Sequence, residues 1–268
     1  MITHVTDIGD SRLDAFRWRD RQLASKSNRL ETVGAGLFVA EGELVVERAH
    51  LAGCEPIAIL CAQKVAANLL QRFPSDVAIY VADDKTRGIV TGLGVPLDAT
   101  GLFRRPALRN ARQLCEESTH IVVLEEVDNP TNLGAIMRSA VALGWDALIL
   151  DSTSADPLAR RALRVSMGTA LQLPFAKCES GLDFVSLLHQ QEFSTIALTP
   201  DCSATDLRSI SPSTKKIALL LGSERNGLSQ QVLSMATYRA RIAMNAGIDS
   251  LNVGAAAAIA LHVFAPSK

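Results

Sequence analysis

Three clusters of polar side chains in the second half of the chain combine residue types that bind ligands and move protons. The first lies within VDNPTNLGAIMRSA and holds Asn132 and, six residues later, Arg138. The second is the loop GSERNG, which begins at Gly222. The third is the stretch NAGIDSLN, with Asp249, Ser250 and Asn252. Because polar loops positioned by rigid elements commonly carry binding and catalysis, the pattern predicts a site built from amide, carboxylate and guanidinium groups.

Each cluster also has a purely structural interpretation. Asn132 and Ser250 are residue types that cap helices, and Arg138 is of a type found mostly on surfaces. The loop after Gly222 fits a polar strand-to-helix turn, and it lacks the GKS or GKT sequence of a phosphate-binding P-loop. A dinucleotide-binding enzyme is a further alternative, but GxGxxG follows the first strand of neither half, and Asp151 alone is a weak signal for it.

Apolar strands and helices alternate in two regions that must position these clusters. In the first, LFVA, PIAILC, VAIYVA and LFRRP are predicted strands, and ELVVERAHLAG, QKVAANLLQRF and DKTRGIVTGLG are predicted helices. In the second, the predicted strands are IVVLEE, DALILD, STIALTP, IALLLG and ARIAM. The helices between them are LGAIMRSAVALG, LARRALRVSMGTAL after Pro157, Phe184 to Gln191, GLSQQVLSM and SLNVGAAAAIALHVF.

This alternation predicts an α/β protein whose second region contains a parallel sheet covered on both faces. Ligands bind such sheets at the carboxyl ends of the strands. Thr199, Gly222 and Met244 fall at those ends.

Composition narrows the classes of protein. The 268 residues are 48% hydrophobic and 21% charged, with a net charge of −1, so any nucleic acid must be bound by a local basic patch. Five widely spaced cysteines predict neither a disulfide framework nor a zinc site, and we expect no metal. The charged N-terminus and the absence of a long apolar run predict a cytoplasmic protein without membrane contact.

Taken together and in this order, the clusters resemble the SpoU (TrmH) family of RNA ribose 2′-O-methyltransferases, within the SPOUT superfamily. The first family motif matches Asn132, Gly134 and Arg138. The second matches Gly222, Glu224, Gly227 and Leu228. The third matches Ile242, Met244, Ser250, Leu251, Asn252 and Val253. Ala243 stands where the family has proline, a change expected to loosen a turn without removing a catalytic group.

The resemblance implies a fold and a domain organisation. The expected fold is α/β, with a C-terminal SPOUT-type parallel sheet and a deep trefoil knot, plus a smaller N-terminal α/β substrate-binding domain that is ribosomal-protein-like. Residues 1–105 would bind RNA, 106–117 would form the linker, and 118–268 would form the catalytic domain. The resemblance also implies a homodimer with each active site close to the subunit boundary.

The resemblance further implies S-adenosyl-L-methionine-dependent 2′-O-methylation of a ribose in ribosomal or transfer RNA, with no DNA partner. Cofactor-binding residues would be Leu198, Thr199, Gly222, Ile242, Met244 and Leu251. The catalytic set would be Asn132, Arg138, Glu224, Ser250 and Asn252.

Arg138 has the chemistry to clamp an RNA phosphate and stabilise the alkoxide that forms on the ribose oxygen, because arginine scarcely deprotonates. A phosphate oxygen or Glu224 would then take the proton, and Ser250 and Asn252 would orient Arg138 or the ribose. The alternative is a non-catalytic RNA-binding paralogue of the same fold. Such a protein would have little use for all four of Arg138, Glu224, Ser250 and Asn252.

Basic residues outside the motifs are candidates for RNA contact. One group lies near the predicted linker or on the helix predicted after Pro157, and comprises Arg104, Arg105, Arg109, Arg160, Arg161 and Arg164. For the last three a solvated helix face is the alternative. A second group follows an apparent helical pattern over residues 11–29 and includes Arg17, Arg19, Arg21, Lys26 and Arg29.

Overall fold

The structure, a computed structural model, describes residues 2–24, 36–178, 181–245 and 250–266. The chain forms two compact units. The first comprises Met1–Ala107 and Leu158–Leu171, and the second comprises Leu108–Pro157 and Gln172–Lys268. The stretch Leu158–Leu171, called the returning segment below, therefore belongs with the first unit, although the sequence predicted one uninterrupted domain over 118–268.

The first unit is built on a five-stranded mixed sheet of order β1-β4-β3-β5-β2. β1, β4 and β3 are parallel, and β5 is antiparallel to both β3 and β2. The strands are β1 Ile2–His4, β2 Leu37–Glu41, β3 Pro56–Cys61, β4 Ala78–Val81 and β5 Ala99–Arg104. The helices are α1 Asp14–Arg17, α2 Asp20–Leu23, α3 Glu43–Leu51, α4 Gln63–Arg72, α5 Asp84–Thr91 and, from the returning segment, α8 Arg160–Val165.

The second unit contains a seven-stranded sheet of order β10-β12-β9-β11-β6-β7-β8, in which every neighbouring pair is parallel. The strands are β6 His120–Glu125, β7 Ala147–Asp151, β8 Phe175–Cys178, β9 Ser194–Leu198, β10 Thr205–Asp206, β11 Ile217–Gly222 and β12 Tyr238–Arg241. The helices are α6 Ala111–Glu117, α7 Pro130–Ala142, α9 Gly181–Gln190, α10 Gln230–Met235 and α11 Val253–Val263. The predicted parallel α/β architecture is confirmed, whereas the trefoil knot stays a prediction.

Local physical chemistry accounts for several of these elements and their boundaries. β6 and β11 are buried at every residue, as expected for central parallel strands. α4 ends just before Pro74, because a residue preceding proline disfavours the helical conformation. α5 begins where the Asp83 carboxylate accepts a hydrogen bond from the Thr86 backbone N–H at 2.7 Å.

The helix predicted after Pro157 is much shorter than expected. α8 ends at Val165, and a 3-10 helix follows at Thr169–Gln172. Between them Gly168 adopts φ +79°, and a Cβ there would lie 3.3 Å from the Cα of Val45. The chain turns at this glycine because only glycine combines that backbone angle with so close an approach.

Two other predictions need correction. The pattern over residues 11–29 gives two short helices, α1 and α2, and Lys26 and Arg29 lie outside the described residues. The strand predicted as ARIAM ends at Arg241. Ile242 and Met244 therefore lie beyond the strand end. Within the described ranges, no helix has the length and apolarity to cross a membrane.

A buried carboxylate holds the returning segment in the first unit. The Glu41 side chain is only 2% exposed and binds Arg160 Nη1 at 3.2 Å and Arg164 Nη1 at 2.8 Å. Arg160 also donates to the backbone carbonyls of Phe16 at 2.9 Å and Trp18 at 2.8 Å. The prediction that Arg160 contacts RNA phosphate is therefore wrong, because its guanidinium is committed to neutralising a buried charge.

Three of the other arginines proposed for RNA contact also have partners within the protein. Arg104 Nε binds Glu55 at 2.9 Å, and Arg109 pairs with Glu117. Arg105 Nε donates to the Leu37 carbonyl at 2.9 Å. The exposed pairs on Arg104 and Arg109 are weak enough to open toward a phosphate, so contact with RNA through these two stays a prediction.

Candidate active site

A cavity of about 610 Å³ opens at the carboxyl ends of strands in the second unit. Its walls come from the ends of β9 and β11, the segment after β12 and the start of α11. The lining includes all six residues predicted to hold a cofactor, Leu198, Thr199, Gly222, Ile242, Met244 and Leu251. It also includes three of the five predicted catalytic residues, Glu224, Ser250 and Asn252. Asp249 lies outside the described residues. The structure thus brings the second and third motifs into one cavity.

The loop after β11 folds back so closely on Gly222, the last residue of the strand, that this residue has to be glycine. A Cβ built on Gly222 would lie 2.1 Å from the carbonyl carbon of Gly227 and 2.2 Å from the backbone nitrogen of Leu228. Gly227 itself adopts φ +67°, and its N–H donates to the Ser223 carbonyl at 2.9 Å. The loop therefore presents Glu224 from a rigid backbone.

We expect Gly222→Ala to destabilise the protein by about 1–3 kcal/mol, the range for forcing atoms into a packed site. Urea unfolding measures the change. Gly94→Ala is the matched control, because a Cβ there meets no atom within 4 Å. Gly94→Ala is expected to leave stability unchanged or to raise it slightly, because alanine reduces the backbone freedom of the unfolded chain. Equal effects of the two substitutions would contradict the close approach at Gly222.

A hydrogen-bond network at the edge of the cavity joins all three motifs. Asn252 Nδ2 donates to Asn132 Oδ1 at 3.0 Å and to Glu224 Oε1 at 2.7 Å. Asn252 Oδ1 accepts from the backbone N–H groups of Gly254 at 2.9 Å and Ala255 at 3.3 Å. Every polar atom of this amide is engaged, which also fixes the orientation of the amide group.

The two capping interpretations of the sequence are wrong in detail. Asn129, not Asn132, caps α7, because its side chain accepts from the Thr131 N–H at 2.9 Å. Asn132 lies inside the first turn and is buried, which leaves its side chain for Asn252. Likewise Asn252, not Ser250, caps α11. Asn252 therefore serves as a helix cap and a site residue at once.

Close packing of α11 on α7 brings these asparagines together. A Cβ on Gly254 would lie 3.4 Å from the Cβ of Ala135 and 3.1 Å from Asn252 Oδ1. At the other end of α11, Trp145 Nε1 donates to the Leu261 carbonyl at 3.1 Å. A residue without a side chain is thus needed at position 254 for the contact with α7, although glycine is a poor helix former.

Arg138 lies apart from the cavity wall. It is on α7, six residues after Asn132, and its side chain is exposed. The described lining of the cavity does not include it. Since six helical residues turn through about 600°, Arg138 projects from a face different from that of Asn132. The structure therefore separates the predicted cofactor residues from the predicted catalytic arginine.

Two buried acids that support the site were not singled out as site residues from the sequence. Glu125, which ends β6, accepts from the Ser229 N–H at 2.7 Å and from Ser229 Oγ at 2.9 Å, and so holds the end of the Gly222 loop. Asp151, which ends β7, accepts from the N–H groups of Glu126 at 3.2 Å and Ser154 at 2.9 Å, and so braces the turn that leads to α7. An acid ending an otherwise apolar strand is the signal that marks both.

Comparisons with known proteins agree with this fold. The model of the SpoU rRNA methylase family matches residues 119–262. An uncharacterized tRNA/rRNA methyltransferase of Mycobacterium bovis is 35% identical over 97% of this chain and 91% of its own length. The AdoMet-bound rRNA methyltransferase from Sinorhizobium meliloti has a TM-score of 0.81 and 26% identity, covering 98% of this chain and 97% of its own.

The SpoU methyltransferase AviRb from Streptomyces viridochromogenes, solved with AdoMet, has a TM-score of 0.78 at 21% identity, covering 96% of this chain and 97% of its own. That likeness is one of fold. The family match over more than half of the chain and the near full-length bacterial relative establish the class. This chain belongs to the SpoU rRNA methylase family.

Proposed function

We propose that this protein methylates the 2′-hydroxyl of a ribose in ribosomal or transfer RNA, with S-adenosylmethionine as the methyl donor. The observation that carries the proposal is the hydrogen-bonded group of Asn132, Glu224 and Asn252 at the edge of the cavity. The family, and the RNA methyltransferases among its near full-length relatives, support RNA methylation. The choice of the ribose hydroxyl rests on the sequence motifs.

The cavity has the size and chemistry for this donor. Its volume of about 610 Å³ falls within the range of small-molecule sites. Apolar side chains suited to an adenine ring line it, namely Leu198, Ile242, Met244 and Leu251. When bound, the donor supplies an activated methyl group on a positively charged sulfur. The residues of the chain then have to hold the donor and align the acceptor oxygen with it.

On the acceptor side we assign Arg138 to the RNA. Its exposed guanidinium would bind a phosphate and stabilise negative charge on the ribose oxygen. Glu224 would accept the hydroxyl proton, since it lines the cavity and is held by Asn252. Both amide hydrogens of Asn252 are used within the network, so Asn252 would position Glu224 rather than orient Arg138.

The test uses RNA from cells that lack this protein. That RNA is incubated with the purified protein and methyl-labelled donor, and is then hydrolysed with alkali. A 2′-O-methyl group protects the adjoining phosphodiester, so label is expected in alkali-resistant dinucleotides. Label recovered only in mononucleotides would place the methyl on a base and overturn the ribose assignment. No incorporation into any RNA fraction would favour the non-catalytic RNA-binding alternative.

We further propose that the first unit binds the RNA substrate. Deleting residues 1–105 is a poor test, because it would remove the partners of the returning segment, including Glu41. Substitutions of exposed arginines test the idea without that disruption. Arg104→Ala should weaken RNA binding and reduce its salt dependence, because a phosphate contact releases counterions. RNA binding of unchanged affinity and salt slope would exclude that contact.

We also propose that two copies of the chain form a homodimer through α11. Ala255, Ile259 and Val263 recur every four residues, and all three are exposed, Ile259 at 42% and Val263 at 40%. Four-residue spacing places them on one helix face. An exposed apolar stripe of this kind suits contact with a second copy.

Ile259→Glu is therefore expected to convert a dimer into a monomer, because it would bury a charge at the centre of the stripe. Light scattering coupled to size exclusion measures the mass. Ile89→Glu, at a 52% exposed position in the first unit, is the matched control and should leave the mass unchanged. A wild-type protein that is already monomeric would rule out the dimer.

A further inference from the structure

One carboxylate in the cavity wall has no role in the site as described so far. Three ionisable side chains occur in the described lining, Asp201, Glu224 and Arg225. Glu224 is engaged by Asn252, and Arg225 is exposed. Asp201 follows the end of β9 by three residues and was not among the residues predicted from the sequence. Its position therefore calls for a separate assignment.

The Asp201 carboxylate is held in place as an ionised acceptor. One oxygen, Oδ1, accepts from the Ser203 N–H at 2.8 Å, and the other, Oδ2, pairs with the Arg239 guanidinium. The hydrogen bond from Ser203 lowers the pKa of Asp201, and the charge of Arg239 lowers it further. A carboxylate has about four acceptor positions, so Ser203 and Arg239 do not use all of them, and Asp201 is one of the residues that line the cavity.

We infer that Asp201 accepts hydrogen bonds from the two ribose hydroxyls of the adenosine in the methyl donor. The inference rests on the proposed function, because it takes the ligand to be an adenosine derivative. Leu198, the last residue of β9, and Asp201, three residues later, both line the cavity, and a ribose is bonded directly to the adenine that the apolar wall suits. An acidic residue that binds ribose hydroxyls at the edge of a parallel sheet is also how dinucleotide-binding folds recognise this group.

The ammonium of the donor's amino-acid part is the competing ligand for the same carboxylate. Three compounds separate the two. S-adenosylhomocysteine carries both groups, methylthioadenosine carries only the diol, and 2′,3′-dideoxy-methylthioadenosine carries neither. Isothermal titration calorimetry of each against wild type and Asp201→Asn gives a double-mutant cycle that isolates the contact.

Asp201→Asn is expected to weaken the binding of S-adenosylhomocysteine and of methylthioadenosine by the same factor. That factor is roughly tenfold, as for loss of a hydrogen bond to a charged group. The substitution should leave the affinity for the dideoxy compound unchanged. Loss confined to S-adenosylhomocysteine would assign Asp201 to the ammonium instead. Equal loss for all three compounds, or no loss at all, would overturn the ribose assignment and leave the proposed function standing.

Asp206→Asn is the matched control. Asp206 has partners of the same kinds, since its carboxylate accepts from the Arg208 N–H at 2.9 Å and pairs with the Arg208 guanidinium at 3.1 Å. It lies in the same connection between β9 and β11, outside the described cavity lining. Its replacement should change none of the three affinities. If wild-type protein bound none of the compounds, the proposed function would fail, and the inference on Asp201 would fail with it.

Discussion

Replacing Arg160 with methionine is expected to destabilise the protein by about 3–5 kcal/mol, the range for removing one partner of a buried ion pair. Glu41 would stay buried, and among the described residues only the 40% exposed Arg164 would be left to balance its charge. The carbonyls of Phe16 and Trp18 would lose their donor as well. Urea unfolding followed by circular dichroism gives the change in the free energy of unfolding.

The double variant Glu41→Met with Arg160→Met separates loss of the pair from loss of packing. It should be more stable than Arg160→Met alone, because neither charge is left buried and unpaired. Arg12→Met is the exposed control, since Arg12 is 48% exposed beside Asp10 and is expected to contribute less than about 1 kcal/mol. An Arg160→Met protein as stable as this control would mean that Glu41 does not need its partner.

The same pair shows where prediction of the fold from the sequence stops. Long apolar runs such as β6 and β11 were predicted because they are bounded by polar residues and glycine. β8 and β10 were missed because four residues and two residues carry no usable period. The return of residues 158–171 to the first unit depends on an ion pair between residues 119 positions apart, which no local pattern contains.

The site was predicted through motifs, and the structure adds what the motifs lack. Spacing alone could not show that Asn252 caps α11 while its amide also binds Asn132 and Glu224. Nor could it distinguish Glu125 from its neighbour Glu126 at the end of β6. Glu125 is buried against Ser229, whereas Glu126 is exposed at a φ of 56°. Such distinctions depend on which way each side chain leaves the sheet, which no sequence pattern contains.

Replacing Arg138 with alanine is expected to lower methyl transfer by at least about 100-fold, the effect of removing one group that stabilises developing negative charge. The affinity for S-adenosylmethionine should not change, because Arg138 is outside the described cavity lining. Transfer of labelled methyl to RNA measures the first quantity and calorimetry the second. Since a removed transition-state contact lowers kcat, saturating donor should not rescue the variant.

Two further substitutions show what the guanidinium contributes. Arg138→Lys keeps the charge but loses the planar pair of donors, so it should recover only part of the activity. Arg112→Ala removes an arginine exposed on α6 in the same unit, whose Nη2 donates to Gln190 at 3.1 Å, and should leave the rate unchanged. If Arg138→Ala lost donor binding and activity together, the arginine would act on the cofactor side. The division of the site into a donor cavity and a separate acceptor arginine would then be wrong.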